Sequence, residues 1–471
     1  MSQQCTIETR QPRSLVTYAN TEHAPPPLRS NVEKLFHSLP LPLHLLRVPL
    51  YASINTGIAL LSHITDGPVK GGWNWSTTVI HALMASITEQ HPPQGRHSLS
   101  LVSRATDFTY PAFLFAGTTS IVQSQLTITN SEILREQVLH VAATIDTHIK
   151  RPTTAPPKSL DVPVTTRYVS GEWVRSSEVP KNSTKIVLYL HGGAHIFLSP
   201  RSHRGITSRV SRELTRPVFA LDYRLALEAP FPGAIEDALA AYCALIGWNG
   251  HLFGASLTGI DQPYTPKDIV LVGDSSGGSL CMQLMLVLRE LGIPQAGGAI
   301  LLSPFVDAEC TSDSYNRNRH SDILNLDHDG MKWAMRIYSG KFSPCHSLVS
   351  PVNAPLHDLP PILIQAGDSE LVTDDAVLLY KRLSDVGSAK LELYQDQFHV
   401  FQAFSHLIPV ADIAYARCAK FVDSLASIEA TVNTFVEITP AGKAICKVDM
   451  TTEDDCESDS DKSSRDSGFV E

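Results

Sequence analysis

A serine set between glycines is the residue of this 471-residue sequence that points most directly to chemistry. Residues 273–277 read Gly-Asp-Ser-Ser-Gly and follow the apolar run 269–272. A strand that turns abruptly into a helix leaves no room for side chains at the bend, so glycines flank it and the serine hydroxyl is exposed above the sheet. The pattern predicts Ser275 as a nucleophile, with the N–H of Ser276 directed at the carbonyl group that it attacks.

A second segment could supply the oxyanion-binding groups that such a nucleophile needs. The predicted strand 185–190 leads directly into His-Gly-Gly-Ala-His at 191–195. Consecutive glycines allow a ligand to approach the backbone closely, and each N–H donor to an oxyanion is worth about 3 to 4 kcal/mol in comparable enzymes. We predict that the amides of Gly192, Gly193 and Ser276 form this pocket. A tight glycine turn without a catalytic role is the alternative.

Together these segments resemble the hormone-sensitive-lipase-like family of α/β-hydrolases, which pairs an HGG-type oxyanion loop with a GDSxGG nucleophile motif. Residues 222–225 and 230–232 resemble the family's DYRLxPExPFP stretch, and 302–307 resembles the strand end after the nucleophile helix. The resemblance covers roughly residues 160–425, with the motifs in the family's order. It implies an α/β-hydrolase fold, in which helices flank a mostly parallel sheet and N-terminal helices form a cap.

The resemblance and the chain order nucleophile, acid, base indicate His399 as the base that accepts the serine proton. This histidine lies in the loop 395–402, after the predicted strand 391–394, and with Phe401 it matches the family's HxF segment. The chain has 19 histidines, most of which are expected to be surface or structural residues. His406 is the alternative base.

The acid is expected in the segment 367–375, which holds four carboxylates. Aligning its closing Asp374-Asp375 pair with the family's DPLxDE segment places Glu370 at the acid position, with Asp368 and Asp374 as alternatives. Glutamate can replace the more usual aspartate because the acid orients the imidazole and stabilises its charged form. The aspartate pair also fits an N-terminal cap of the helix predicted to follow.

Three features depart from the family pattern. Ala194 replaces a third glycine, which would cost about 1 kcal/mol if this position needs a positive φ. Leu227 replaces a proline, and the segment before residue 150 is longer than usual. None of these departures removes a predicted catalytic group.

The elements that must position these residues follow from hydrophobic patterns. Apolar residues recur at helical spacing over 276–291, a further helix is predicted over 404–425, and alternation around Pro440 predicts a hairpin. The predicted organisation is a disordered N-terminus (1–30), a helical cap or N-terminal extension (31–155), an α/β-hydrolase catalytic domain (156–430), a hairpin (431–448) and a disordered acidic tail (449–471).

The apolar segment 39–61 has two alternative interpretations. Charged and polar side chains and three prolines interrupt it, so it lacks an unbroken apolar span of about 20 residues. We predict a cap helix over the active site, with peripheral membrane contact as the alternative. Residues 106–129 and 314–338 are predicted to complete the cap.

Composition restricts the kinds of binding partner and the cellular compartment that we expect for this protein. The net charge of −10 argues against a nucleic-acid partner, and residues 448–471 carry much of it, with nine acidic and two basic side chains. Eight scattered cysteines form no CxxC motif or Cys/His cluster, so we predict neither a metal site nor a disulfide framework. Residues 1–30 show no signal peptide, which favours an intracellular, cytoplasmic protein.

The sequence thus predicts a serine esterase, which needs no cofactor and cleaves carboxylic esters of small apolar molecules through an acyl-enzyme on Ser275. A thioesterase, lactonase or transacylase in a small-molecule biosynthetic pathway could use the same three residues. A hydrolase-fold protein that binds a ligand without turnover is the alternative from a different class.

Overall fold

Short, mostly apolar runs form the strands at the centre of the fold, as expected of a sheet covered on both faces. The computed structural model describes residues 44–88, 119–146, 165–248, 253–324, 328–427 and 432–447. The strands are β1 (Thr119–Thr129), β2 (Thr166–Ser176), β3 (Ile186–Leu190), β4 (Val218–Asp222), β5 (Gly254–Leu257), β6 (Ile269–Asp274), β7 (Gly298–Leu302), β8 (Ile362–Gly367), β9 (Ala389–Tyr394), β10 (Thr434–Ile438) and β11 (Ala444–Lys447).

These strands form one eleven-stranded sheet in the order β11-β10-β9-β8-β7-β6-β3-β4-β2-β1-β5. The strands from β10 to β4 in this order run parallel, whereas the pairs β11–β10, β4–β2, β2–β1 and β1–β5 are antiparallel. The prediction of a mostly parallel sheet is confirmed. Because the carboxyl ends of parallel strands meet at one edge, residues after β6, β8 and β9 can come together there.

Helices cover both faces of this sheet. In β3, Ile186 and Leu188 point to the larger apolar cluster, which also holds α5 and α6, and Val187 points to the second, which holds α4 and α10. The helices are α1 (His44–Thr65), α2 (Trp75–Thr88), α3 (Ser131–Thr144), α4 (Arg204–Glu213), α5 (Gly233–Leu245), α6 (Ser276–Leu291), α7 (Ser314–Arg317), α8 (His328–Ser339), α9 (Thr373–Ser384) and α10 (Pro409–Ser424).

The structure differs from the cap predicted over residues 106–129. Residues 119–129 form β1, which pairs along its whole length with β2 and buries Leu126 and Ile128. Alternating polar and apolar side chains suit a strand with one buried face, which explains this outcome. The residues before 119 in this prediction lie outside the described residues. The sheet thus begins before the predicted catalytic domain, and β10 and β11 extend it beyond the other end.

The last helix begins later than the predicted 404–425. Helix α10 starts at Pro409, because proline has no N–H to donate and its fixed φ suits the first helical position. Phe401–Phe404 forms a separate 3₁₀ turn. His399 therefore lies in a loop between β9 and this turn.

The first two helices lie beside that loop. Trp73, just before α2, is buried in an apolar cluster with Phe398, and its indole N–H donates to the carbonyl of Asp396. The N–H of Gly72 donates to Asp396 Oδ2 at 2.7 Å. The connection between α1 and α2 is thus fixed to the segment that leads to the predicted base.

Parts of the predicted organisation fall outside the described residues. These are the predicted disordered ends, 1–30 and 449–471, and the first residues of the apolar segment, 39–43. Within the described ranges, no helix combines the length and apolarity that crossing a lipid bilayer requires.

Candidate active site

Ser275 occupies the sharp turn between β6 and α6. Its backbone lies in a sparsely populated region, with φ 52° and ψ −123°. A methyl group at Gly277 would lie 2.0 Å from the carbonyl oxygen of Leu190, and one at Gly273 would lie 2.4 Å from the carbonyl oxygen of Gly277. Both positions therefore need glycine, and the strand–turn–helix geometry is that of a nucleophile elbow.

A chain of hydrogen bonds joins Ser275, His399 and Glu370. Ser275 Oγ lies 2.9 Å from His399 Nε2, and His399 Nδ1 lies 2.8 Å from Glu370 Oε2. With Nδ1–H donating to the carboxylate, Nε2 is left to accept the serine proton. The three residues follow β6, β9 and β8, so the parallel sheet brings them together at one edge.

Opposing effects set the pKa of His399. Burial alone would lower it, because the charged imidazolium loses hydration, but the hydrogen bond and charge of Glu370, together with the charges of Asp322 and Asp274, raise the pKa overall. Burial raises the pKa of Glu370, which its hydrogen bond to His399 opposes. The surroundings of His399 therefore favour its charged imidazolium form.

Glu370 is held in a fixed orientation. Its Oε1 accepts hydrogen bonds from Ser303 Oγ at 3.1 Å and from the N–H of Gly367, while Oε2 faces the imidazole. Ser303 Oγ in turn accepts the N–H of Val400 at 3.0 Å. Both carboxylate oxygens are therefore engaged, and the loops after β7, β8 and β9 are linked.

The alternative acids and base are engaged or placed elsewhere. Asp368 accepts the N–H of Asp396 at 2.8 Å, Asp374 accepts the N–H of Ser314 at 2.9 Å, and His406 is exposed. Within the described part of the chain, none of these three side chains hydrogen-bonds to Ser275 or to the predicted base.

The oxyanion loop differs from the prediction at Gly192. Its N–H donates to Asp274 Oδ1 at 3.1 Å and so is not available to an oxyanion. Among the described residues, the N–H groups of Gly193, Ala194 and Ser276 donate no hydrogen bond. The available amides thus lie one residue further along the loop than predicted. The motif could not indicate this, because the acceptor for Gly192 is 82 residues away in the chain.

The same loop has two successive non-glycine residues with positive φ, Ala194 at 54° and His195 at 60°. The cost predicted for alanine therefore applies. His195 N–H donates to Ser276 Oγ at 3.1 Å, and its ring stacks on Tyr338 with centroids 3.8 Å apart. Burial lowers the pKa of His191 and of His195 to about 3, so both rings are neutral at physiological pH and shape the loop.

The side chain of Asp274, the residue before Ser275, stabilises the turn through contacts with other buried side chains. Its carboxylate accepts the hydroxyl of Tyr189 at 2.5 Å and lies 3.3 Å from His203 Nε2. Burial alone would raise the pKa of Asp274, but His203 and Tyr189 lower it overall; the same carboxylate raises the pKa of His203 against the effect of burial. Sequence reasoning missed both partners, although a tyrosine inside the apolar run of β3 was an available signal.

The described side chains offer no evident metal site. No group of three or more His, Cys, Asp or Glu within the described ranges is placed to hold a metal ion. The described cysteines are free thiols, at positions Cys243, Cys281, Cys310, Cys345 and Cys418.

Comparison with known sequences identifies a matching family model and several relatives. A family model described as the alpha/beta hydrolase fold matches residues 187–403. An acetyl-hydrolase of Streptomyces hygroscopicus is 34% identical over 52% of this chain and 77% of its own length. An esterase of Acinetobacter venetianus is 30% identical over 56% of this chain and 82% of its own length.

The solved structures that resemble this chain are also described as esterases. An esterase/lipase from an uncultured bacterium superposes with a TM-score of 0.56 and 25% identity, covering 75% of this chain and 100% of that one. An esterase from the bacterial hormone-sensitive lipase family gives a TM-score of 0.50 and 31% identity, covering 63% of this chain and 99% of that one. By sequence, structure and the motifs around Ser275, the chain belongs to the hormone-sensitive-lipase-like family of α/β-hydrolases.

Proposed function

We propose that this protein is a serine-dependent carboxylic-ester hydrolase whose catalytic residues are Ser275, His399 and Glu370. The observation that carries the proposal is the hydrogen-bond chain from Ser275 Oγ through His399 to Glu370, at an elbow beside unengaged backbone amides. Relatives named esterase and acetyl-hydrolase support the same class of reaction.

In the proposed reaction, Ser275 Oγ attacks the ester carbonyl while His399 Nε2 takes its proton. The carbonyl oxygen becomes an oxyanion, which the N–H groups of Gly193, Ala194 and Ser276 receive. The tetrahedral intermediate then expels the alcohol, which takes the proton from His399, and an acyl group remains on Ser275. Water, activated by the same histidine, releases the carboxylic acid.

Uncharged esters of small apolar molecules are the proposed substrates, and the reaction needs no cofactor. The same residues would also cleave a thioester or lactone, or pass the acyl group to another alcohol. These reactions share the acyl-enzyme and differ in the leaving group or the acceptor.

The test measures initial hydrolysis rates of p-nitrophenyl esters from acetyl to dodecanoyl. Ser275→Ala and His399→Ala should each lower kcat by at least about 10⁴-fold, because nucleophile and base act as a unit. His406→Ala changes an exposed histidine of the same region and should keep the parental rate. The acyl length with the highest kcat/KM identifies the acyl class.

Three outcomes would redirect the proposal. Parental turnover in Ser275→Ala would contradict the mechanism. A parent that is inactive on all esters but is labelled at Ser275 by a fluorophosphonate would indicate a different leaving group or acyl acceptor. A parent that is neither active nor labelled would indicate a ligand-binding role.

A further inference from the structure

A second buried carboxylate, that of Asp322, lies next to the predicted base. Asp322 is fully buried in the turn between α7 and α8. Its Oδ2 accepts the N–H of Leu371 at 2.6 Å, and its Oδ1 accepts the N–H of His399 at 3.1 Å and that of Leu324 at 3.4 Å. The predicted triad and oxyanion loop give this residue no role.

The partners of Asp322 belong to the two loops whose relative position matters most for proton transfer. Leu371 directly follows Glu370 in the loop after β8, and His399 is the base in the loop after β9. One carboxylate therefore holds both the acid loop and the base loop. A displacement of about 1 Å between catalytic groups can lower the rate about 100-fold. Efficient catalysis therefore requires that the acid loop and the base loop keep their relative position.

The hydrogen bonds also indicate the ionisation state of Asp322. Both oxygens accept backbone N–H groups, which favours the carboxylate over the protonated acid, because hydrogen bonds from N–H donors stabilise the negative charge. A buried carboxylate is stable when backbone donors satisfy its oxygens. Burial raises the pKa of Asp322, and the nearby imidazole and these three N–H groups oppose that rise.

The charge of Asp322 acts on the imidazole as well. Three carboxylates affect His399: Glu370 through a direct hydrogen bond, and Asp322 and Asp274 through their charge. They come from the loop after β8, the turn before α8 and the end of β6. Each of them favours the imidazolium form.

We propose that Asp322 is a positioning residue of the esterase reaction: it fixes the base loop against the acid loop and adds its negative charge near His399 to those of Glu370 and Asp274. This inference rests on the proposed function. Asp322 touches no substrate, and it acts through the backbone of His399 and Leu371.

Asp307 offers a matched control for this proposal. It is also a buried aspartate whose oxygens accept backbone N–H groups, from Glu309 at 2.9 Å and Thr311 at 3.0 Å. Its side chain makes no hydrogen bond to Glu370 or His399 in the described part of the chain. Replacing it removes a comparable buried carboxylate without touching the triad.

The experiment compares Asp322→Asn with Asp307→Asn by pH–rate profiles and thermal unfolding. Asp322→Asn should lower kcat by about 10-fold with KM within about twofold of the parent, because misplaced catalytic groups affect the transition state most. Loss of a negative charge disfavours the imidazolium, so the acid limb of kcat/KM should move to lower pH by about 0.5 unit. Asp307→Asn should unfold at a lower temperature than the parent, but its kcat and the pH midpoint of its acid limb should be those of the parent.

Asp322→Glu keeps the charge but displaces the oxygens, so it should lower kcat and leave the acid-limb midpoint near that of the parent. This variant also tests the proposal if Asp322→Asn does not fold. Parental kcat in either folded Asp322 variant, or a parental midpoint in Asp322→Asn, would overturn the inference. Activity retained by Ser275→Ala would instead overturn the proposed function, so the two failures are distinguishable.

Discussion

The left-handed backbone of Ala194 and His195 is a local constraint on the loop that faces Ser275. Side chains beyond glycine disfavour positive φ, because Cβ crowds the neighbouring backbone. The conformation persists because the surrounding structure holds it: the carbonyl of His195 accepts the N–H of Ala226 at 2.8 Å, and its N–H donates to Ser276 Oγ. The loop thus relies on tertiary contacts to hold two non-glycine residues in this conformation.

We expect Ala194→Gly to raise the free energy of unfolding by about 0.5 to 1 kcal/mol, since glycine adopts φ near 54° without a Cβ penalty. Ala416→Gly, at an exposed position in α10, should lower it by about 1 kcal/mol. Urea unfolding of both variants measures the two changes. A loss of stability in Ala194→Gly would show that the unfolded-state entropy of glycine dominates at this position.

At the scale of elements, the close crossing of β3 and the β6–α6 turn positions Ser275. Leu190 at the end of β3 presents its carbonyl oxygen where a side chain at Gly277 would begin. Because the sheet fixes β3 and β6 side by side over five residue pairs, neither can move away without losing that pairing. The elbow is therefore a property of two strands and a helix together.

A methyl group at Gly277 tests this crossing. Gly277→Ala should lower the free energy of unfolding by at least about 3 kcal/mol and abolish ester hydrolysis, because backbone atoms have to shift. Gly205→Ala places a methyl group in open space within α4 and should leave both unchanged or raise stability slightly. Circular-dichroism melting and initial rates provide the readouts. If both variants kept the parental stability and initial rate, the backbone around Gly277 would accommodate a methyl group more easily than these contacts indicate.

Short-range patterns predicted the main elements around the candidate site. The bounds predicted for α6, 276–291, are those of the structure, because an apolar helical pattern follows a glycine turn. The family and the fold are confirmed. Residues 119–129, predicted as part of a cap, form β1, whose polar side chains obscured the alternation of buried and exposed positions along this strand.

Contacts between residues far apart in the sequence are the part of the candidate site that sequence analysis could not predict. The donation of the Gly192 N–H to Asp274 spans 82 residues, and the one from His399 to Asp322 spans 77. No local spacing encodes such pairs. The roles of Ser275, His399 and Glu370 stay predictions, and the variants Ser275→Ala and His399→Ala test the first two.

At the scale of the molecule, the N-terminal helix pair and the catalytic sheet meet at the loop before His399. Trp73 is 3% exposed and packs edge-on against Phe398, with ring centroids 6.2 Å apart. Ser76 Oγ donates to the carbonyl of Leu407 at 2.7 Å, in the short segment between the 3₁₀ turn and α10. The helices thus support the base loop from outside the sheet.

Two tryptophans near the start of α2 allow a paired test. Trp73→Ala should lower the free energy of unfolding by about 3 to 5 kcal/mol and reduce kcat, because a cavity opens beneath Phe398. Trp75→Ala removes a side chain that is 49% exposed and should change stability by no more than about 0.5 kcal/mol. Thermal unfolding measures the stability of both variants, and ester hydrolysis measures their kcat. An unchanged kcat in folded Trp73→Ala would show that the base loop does not depend on the helix pair.

The strand that leads to the base loop is also protected on its outer side. All five residues of β10 pair with β9, and the carbonyl of Ile438 accepts the N–H of Gln395 at 2.8 Å. A strand without a neighbour presents unpaired N–H and C=O groups that another molecule can extend. The hairpin of β10 and β11 therefore moves the open edge of the sheet away from β9, to β11. Without the hairpin, β9 would be the open edge, and self-association through that edge would take place beside the loop that holds His399.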